Sequence, residues 1–366
     1  MAGVDKRRTQ IGELDAPSIT DARPSATDLT GRLAGLGDAH PSGTGYAQAQ
    51  DAKPDARNDG ESSRSWPDAR RADDSKVGNE GGNRPSRLTD REHAEGVDGV
   101  RAVLAEAVRD GLTTDRLHTS NERRTVWTPD RVALQKQVVN DLYAESSAVP
   151  CEGKAILVGG LPGSGKTTVL RDHADVDLSR YLMINPDDVK AELARRGMVP
   201  EVKGLSPMEA SGLAHEESSL IAKRLAFRAY ADGKNVIWDI TMSSVDSAQS
   251  RITDLRAAGY GDIEGVFVDI PIEVSIRRAD ARHREGHELY SDGHGLGGRL
   301  VAPEAIKAQA DDDFGSVNHR CFEQVKPDLD RWRTYDNSVD GRPALLADAG
   351  TSPARDTQEA AKWPAR

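Results

Sequence analysis

Aromatic side chains are scarce: Phe, Trp and Tyr make up 4% of the 366 residues, and apolar residues of all kinds only 37%. A chain of this length has room for two domains, but so thin a supply of large apolar groups leaves part of it unable to offset its conformational entropy by burial. One folded domain with unstructured flanks is the expectation. Cysteine is nearly missing too. Cys151 and Cys321 lie too far apart for a CxxC metal or redox motif, and two cysteines imply no disulfide framework. No run approaches the roughly 18–20 apolar residues of a membrane helix, and Met1 to Gln10 lacks the apolar stretch that follows the charged start of a signal peptide. A cytoplasmic location with no membrane partner is expected. Positive charge is not in excess either: 49 Lys and Arg stand against 60 Asp and Glu, a formal net charge of -11, which repels a nucleic-acid backbone except at a locally basic pocket. Nucleic acid is not an expected partner.

The apolar residues are unevenly spread. Residues 1–95 contain few of them and mix both charge signs with Gly, Pro and Ser, so this stretch is expected to be a disordered tail in which Trp66 stands isolated. Residues 96–150 read as a helical extension: Val97, Val100, Leu104, Ala107 and Val108 recur at helical spacing before Gly111, and a second helix opens at Thr128-Pro129 and carries Val132, Leu134, Val138, Val139 and Leu142. Residues 151–338 form the main domain. The glycine-bounded run Ala155 to Val158 is expected to be a buried parallel strand, followed by strand candidates at Tyr181 to Ile184, Asn235 to Trp238, Ile263 to Asp269 and Arg333 to Asp336, with helical periods between them. A capping box at Ser206-Pro207-Met208-Glu209 predicts a long helix reaching about Tyr230. Such alternation gives an α/β fold, a parallel sheet covered by helices on both faces. Residues 339–366 turn back to Pro, Ala, Asp and Arg and are expected to be a loose tail.

Gly160-Leu161-Pro162-Gly163-Ser164-Gly165-Lys166-Thr167 matches G-x-x-x-x-G-K-[ST] between a strand and a helix that continues through Thr168. The glycines let successive backbone N–H groups converge on phosphate oxygens at a helix N-terminus. Lys166 is then expected on the β and γ phosphates and the Thr167 hydroxyl on Mg²⁺, which makes this the P-loop NTPase fold with ATP or GTP as the nucleotide. The base-reading [NT]KxD of GTPases is absent, which favours kinase-like use of ATP.

Ligands in an open parallel sheet sit beyond the carboxyl ends of the strands. The second strand runs into Asn185-Pro186-Asp187-Asp188, so Asp187 is a candidate base for an attacking hydroxyl; either aspartate is also suited merely to cap the next helix. The third ends in Asp239-Ile240-Thr241, offering substrate or Mg²⁺ contacts. His215-Glu216-Glu217 places Glu217 on an apolar face, either paired at a core edge or lining the pocket. Arg277, Arg278, Arg282 and Arg284 precede the glycine-rich stretch Ser291 to Arg299, a combination suited to a flexible lid that carries positive charge onto a transferring phosphoryl group. His283, His287 and His294 lack the carboxylate partner and rigid setting of a metal site.

Taken together, GGLPGSGKTT, NPDDVK, HEESSLIAKRLAFRAYADGKNVIWDIT and HELYSDGHGLGGRLVAPEAI, with TPDRVALQKQVVNDLY ahead of the first strand, resemble the zeta-toxin family of P-loop kinases over about Thr114 to Asn337. The resemblance implies ATP-dependent phosphorylation of the 3'-hydroxyl of UDP-N-acetylglucosamine and a small antitoxin as partner. It implies Asp187 as base, Lys166 and Thr167 as phosphate and Mg²⁺ contacts, and Glu216, Asp239 and Thr241 as contacts to the nucleotide-sugar substrate. Arg299 would be the second lid arginine, with Arg282 or Arg284 the first. Two positions depart from the family pattern: Asn185 stands where an Asp is common, and Asp239-Ile240-Thr241 replaces Glu-Gly-Thr. Kinases of other small metabolites and a nucleotide-gated interaction module are the alternative readings.

Overall fold

The structure, a computed structural model, describes residues 88–352. Most of the tail expected over residues 1–95, and the last residues of the chain, therefore lie outside the described residues. Helix α1 spans Asp90–Arg109 and opens on a reciprocal capping box: Thr89 Oγ1 accepts from the Glu92 backbone N–H, and the Glu92 carboxylate accepts from the Thr89 backbone N–H. The apolar period alone puts this start at Gly96, because the first turn is polar. A single turn α2 (Thr114–Leu117) and helix α3 (Pro129–Ala144) complete the extension.

The main domain then alternates. In chain order the elements are β1 (Lys154–Gly159), α4 (Lys166–Asp172), β2 (Leu182–Ile184), α5 (Pro186–Arg195), α6 (Pro207–Ala210), α7 (His215–Ala231), β3 (Val236–Asp239), α8 (Val245–Ala257), β4 (Asp262–Asp269) and α9 (Ile272–Ser291). They continue with α10 (Pro303–Lys307), the small hairpin β5 (Ala310–Asp311) and β6 (Gly315–Ser316), α11 (Val317–Val325), β7 (Arg331–Asp336) and β8 (Leu345–Thr351). The sheet order is β2-β3-β1-β4-β7-β8, parallel except for β8. β1 sits centrally, with Leu157 opposite Trp238 on one side and Gly265 on the other. Both faces are covered, which is why β1 reads as a continuous apolar run. One face packs Leu157, Trp238 and Phe267 against Leu193, Ile221, Leu225 and Phe322. The other lays Ile156, Val158 and Val266 beneath Val169 and Leu170 of α4.

Two elements differ from the sequence expectation. β8 lies in the segment expected to be a loose tail from residue 339; it pairs antiparallel with β7, and a Cβ on Gly350 would collide with the Trp332 ring. Because nearly every β8 side chain is exposed, its sequence carries no apolar alternation that would announce a strand. The second difference is the long helix from Ser206. The capping box forms, but the helix breaks after Ala210 into a 3₁₀ turn over Ser211–Ala214, where the Ser211 hydroxyl donates to Met208 O and Gly212 follows, before α7 resumes at His215.

Glu217 is paired rather than lining a pocket. Fully buried in α7, it accepts from Arg131 Nε and Nη2 of α3 at 2.7 Å each and from Gln135 Nε2 at 2.8 Å, while the same Arg131 Nη2 donates to Met198 O beyond α5. The extension is thus joined to α7, which packs on α5, the helix bearing Asp187. No helix among the described residues is long and apolar enough to cross a membrane.

Candidate active site

The chain leaves β1 through the Gly160–Gly165 loop and enters α4 at Lys166. Gly160, Gly163 and Gly165 have φ of 143°, 73° and 83°, and a Cβ on Gly160 would collide with Val268 O, so the loop needs glycine at these positions. Leu161 is buried and anchors the loop from below, next to Pro162. Lys166 Nζ lies 3.4 Å from Gly160 O and 3.5 Å from Asp239 Oδ1. Thr167 and Thr168 are exposed in the first turn of α4, and Ser164 is fully buried with its hydroxyl unpartnered. A cradle with no room for side chains, a lysine over it and open threonine hydroxyls fits a nucleoside triphosphate with Mg²⁺ at Thr167.

The strand ends bring the acids to the same rim. Asn185 is the N-cap of α5: its Oδ1 accepts from Asp187 N–H at 2.9 Å, and its Nδ2 donates to Asp239 Oδ2 at 3.2 Å. Capping is therefore done by Asn185. The Asp187 side chain turns instead to Arg299, with which it forms an ion pair, and to Lys190 Nζ at 3.2 Å. The Asn at position 185 also matches the neighbouring Asp239, since an Asp there would offer that carboxylate repulsion in place of a hydrogen bond. Lys166, Asp239, Asn185, Asp187 and Arg299 form one continuous chain of contacts. Burial pushes the Asp187 carboxyl up, but the charges and hydrogen bonds of Arg299 and Lys190 outweigh it and hold the group below the usual carboxylate range. Asp239 goes the other way: burial raises it and Lys166 only partly compensates. Thr241 is exposed beside Ser243, and its carbonyl accepts from Asn318 Nδ2 of α11 at 2.7 Å.

Arg299 follows a glycine stretch that is packed only at its end: Gly293 and Gly295 have open space around them, while Gly297 and Gly298 lie close against their neighbours. A Cβ on Gly298 would collide with His283 O, one on Gly297 would collide with Ser206 Oγ, and one on Gly286 would come 2.6 Å from Gly298 Cα. Glu209 is buried between Ser206, His283 Nε2 at 3.1 Å and His287 Nδ1 at 3.4 Å; burial pushes it up, yet the hydrogen bonds of His283 and Ser206 bring it down to about 2. Replacing Gly298 with Ala must move the residue before Arg299. We expect kcat to fall about a hundredfold, as a displacement of about 1 Å at a reacting geometry does, with thermal unfolding largely retained; unchanged kcat would show that the loop absorbs the methyl.

Other expected residues are placed elsewhere. Arg284 Nη2 pairs with Asp90 Oδ1 of α1 at 2.9 Å, and Arg282 is exposed, so Arg299 is the arginine of the lid region that meets Asp187. Glu216 is exposed and lines a cleft of about 240 Å³ with Asp115, Arg116 and Arg124, none of them a rim residue. Among the described residues no group of three or more His, Cys, Asp and Glu is arranged to hold a metal ion. Lys190, Ser275 and Asn337 were missed by sequence reasoning. Lys190 follows Asp187 at helical spacing and was legible in NPDDVK; the other two contact the loop only through the fold. A groove of about 730 Å³ lies at the opposite, amino-terminal ends of the strands, where Arg331 and Arg333 pair with Glu264 and Arg180 pairs with Glu152. The P-loop takes no part in it.

The sequence profile of the family described as Zeta toxin matches residues 141–337, more than half of the chain and all of the rim. The chain belongs to the zeta toxin family. Its fold is that of a P-loop kinase of this family, as expected from the motifs. Among solved structures, the complex of AvrRxo1-ORF1 with AvrRxo1-ORF2 determined with ATP is 17% identical, with a TM-score of 0.49 over 68% of this chain and 81% of that one. The same complex with sulphate ions gives 17%, 0.49, 65% and 76%. The PezAT chromosomal toxin-antitoxin system of Streptococcus pneumoniae gives 18%, 0.40, 58% and 78%. No curated protein matches the chain by sequence.

Proposed function

We propose that this zeta toxin transfers the γ-phosphoryl group of ATP to the 3'-hydroxyl of UDP-N-acetylglucosamine, with a small antitoxin protein as its natural restraint. The observation that carries the reading is the single run of contacts from the P-loop lysine through Asp239 and Asn185 to an Asp187 kept ionised by Arg299. In this reading Asp187 accepts the proton of the attacking hydroxyl, which requires a carboxylate that is deprotonated near neutral pH. Lys166 and the loop amides hold the phosphates in line, and Arg299 keeps positive charge beside the base where charge spreads in transfer. Mg²⁺ at Thr167 would neutralise charge on the β and γ oxygens. Asp239 and the exposed Thr241 supply an acceptor and a donor for sugar hydroxyls. Family membership and the spacing of these groups support the acceptor class.

Measuring ADP release with UDP-sugars, free nucleosides and free sugars separates the readings. UDP-N-acetylglucosamine is expected to stimulate release above the background with ATP alone. Stimulation by a nucleoside or simple sugar instead would reassign the acceptor, and ATP binding without stimulation by any compound would favour a nucleotide-gated interaction module.

A further inference from the structure

Three consecutive carbonyls of the P-loop are held from outside by side chains that belong to other parts of the fold. Ser275 Oγ in the first turn of α9, itself fully buried, donates to Pro162 O at 2.6 Å. Arg278 Nη1, one turn later, lies 3.4 Å from Gly163 O. Asn337 Nδ2, just past β7, donates to Ser164 O at 2.7 Å. The set is itself braced: Arg278 Nη2 donates to Asn337 O at 2.9 Å, Arg278 Nε to Asp340 Oδ1 at 2.7 Å, and the Asn337 N–H to Asp269 O at 3.0 Å.

Peptide planarity gives these contacts a consequence. In a trans peptide the C=O of one residue and the N–H of the next point in opposite directions, and the described chain has no cis bonds. Holding Pro162 O toward Ser275 therefore turns the Gly163 N–H away from α9, into the cradle. Holding Ser164 O toward Asn337 does the same for the Gly165 N–H. The intervening peptide is fixed from both ends, since its Ser164 N–H donates to Leu161 O at 3.1 Å while its carbonyl faces Arg278. The fit is close at both glycines: a Cβ on Gly165 would come 2.7 Å from Asn337 Nδ2, and one on Gly163 would come 3.0 Å from Arg278 Cβ. Arg278 is thereby occupied on all its nitrogens by loop, strand end and Asp340, a setting unlike that of an arginine free to swing onto substrate.

We propose that Ser275, Arg278 and Asn337 are positioning residues of the nucleotide site, a clamp that preorganises the Gly163 and Gly165 amides to receive phosphate oxygens. The proposal rests on the reading of this loop as the ATP cradle. Preorganised amides cost no reorganisation when the phosphates arrive, so loosening the clamp weakens nucleotide binding rather than the fold.

The test uses the full chain and two substitutions, Ser275→Ala, which removes one donor, and Asn337→Asp, nearly isosteric, which sets a carboxylate against Ser164 O. Calorimetric titration with ATP is compared with the unfolding midpoint measured without nucleotide. Each variant is expected to bind ATP about tenfold more weakly, with its unfolding midpoint within a few degrees of the unsubstituted protein. The proposal is overturned if both variants bind ATP like the parent, or if affinity and unfolding midpoint collapse together in both, which would make the contacts purely structural. A parent protein that binds no ATP would overturn the kinase reading along with the clamp, whereas equal ATP binding by parent and variants would remove the clamp alone.

Discussion

Asp187→Asn lowers the phosphoryl-transfer rate by about 10²- to 10⁴-fold, the range that a positioned general base contributes, while ATP still binds. The amide keeps the shape of the side chain and its place on α5, because the cap of that helix comes from Asn185 and not from Asp187. What is lost is the ionised carboxylate, paired through Oδ2 with Arg299 and through Oδ1 with Lys190. The same pairing sets a pH expectation. Since the folded-state pKa of Asp187 is depressed, the base stays charged, and the stability gained from its pairs stays present, above the unfolded carboxylate value near 3.9. Both are lost only as pH falls through the lower folded value. The acid limb of kcat/KM is therefore expected below the ordinary carboxylate range. Arg299→Ala removes the largest lowering influence, and the limb should move to higher pH; a limb that stays put would place the essential base elsewhere.

Arg131→Ala is expected to destabilise the folded chain by about 3–5 kcal/mol, the usual consequence of leaving one member of a buried ion pair without its partner. Glu217 has no exposed surface, and without Arg131 only Gln135 would be left donating to its carboxylate. Met198 O loses its donor at the same time. Urea unfolding followed by circular dichroism gives the number. Replacing both partners with apolar residues of similar volume should recover much of the loss, because the uncompensated charge disappears with the pair. A loss under 1 kcal/mol for Arg131→Ala would mean that water reaches Glu217. The pair matters to the site because α7, which carries Glu217, packs on α5, which carries Asp187.

Much of this arrangement was legible in the amino-acid sequence, and the exceptions share a cause. The P-loop, Asp187 and Asp239 stand out because each sits in a local pattern, a glycine spacing or a strand end, whereas Arg299 was reached through the family resemblance. Strands β1, β2 and β3 could be found because burial on two faces leaves an unbroken apolar run. β8 could not, since an exposed edge strand needs no apolar residues and carries hardly any facing the core. Gly297 and Gly298 read as looseness in sequence, yet in the fold Gly298 permits close contact with the α9 backbone at His283 and Gly297 with the Ser206 side chain; glycine serves both ends, and only the neighbours decide between them. Arg284 was drawn to the site by its place in a cluster of arginines, but Asp90 of α1 lies nearer to it in space although far away in sequence. Ser275 and Asn337 had no signal at all, as each contacts the loop from more than a hundred residues away.

The central claim, a kinase whose acceptor is the hydroxyl of a UDP-amino sugar and whose base is Asp187, is tested most directly by product analysis. Incubation with ATP, Mg²⁺ and UDP-N-acetylglucosamine, followed by mass spectrometry, should reveal the nucleotide sugar carrying one additional phosphoryl group with the parent protein and almost none with Asp187→Asn. No phosphorylated sugar from the parent, or equal amounts from both proteins, would contradict the account.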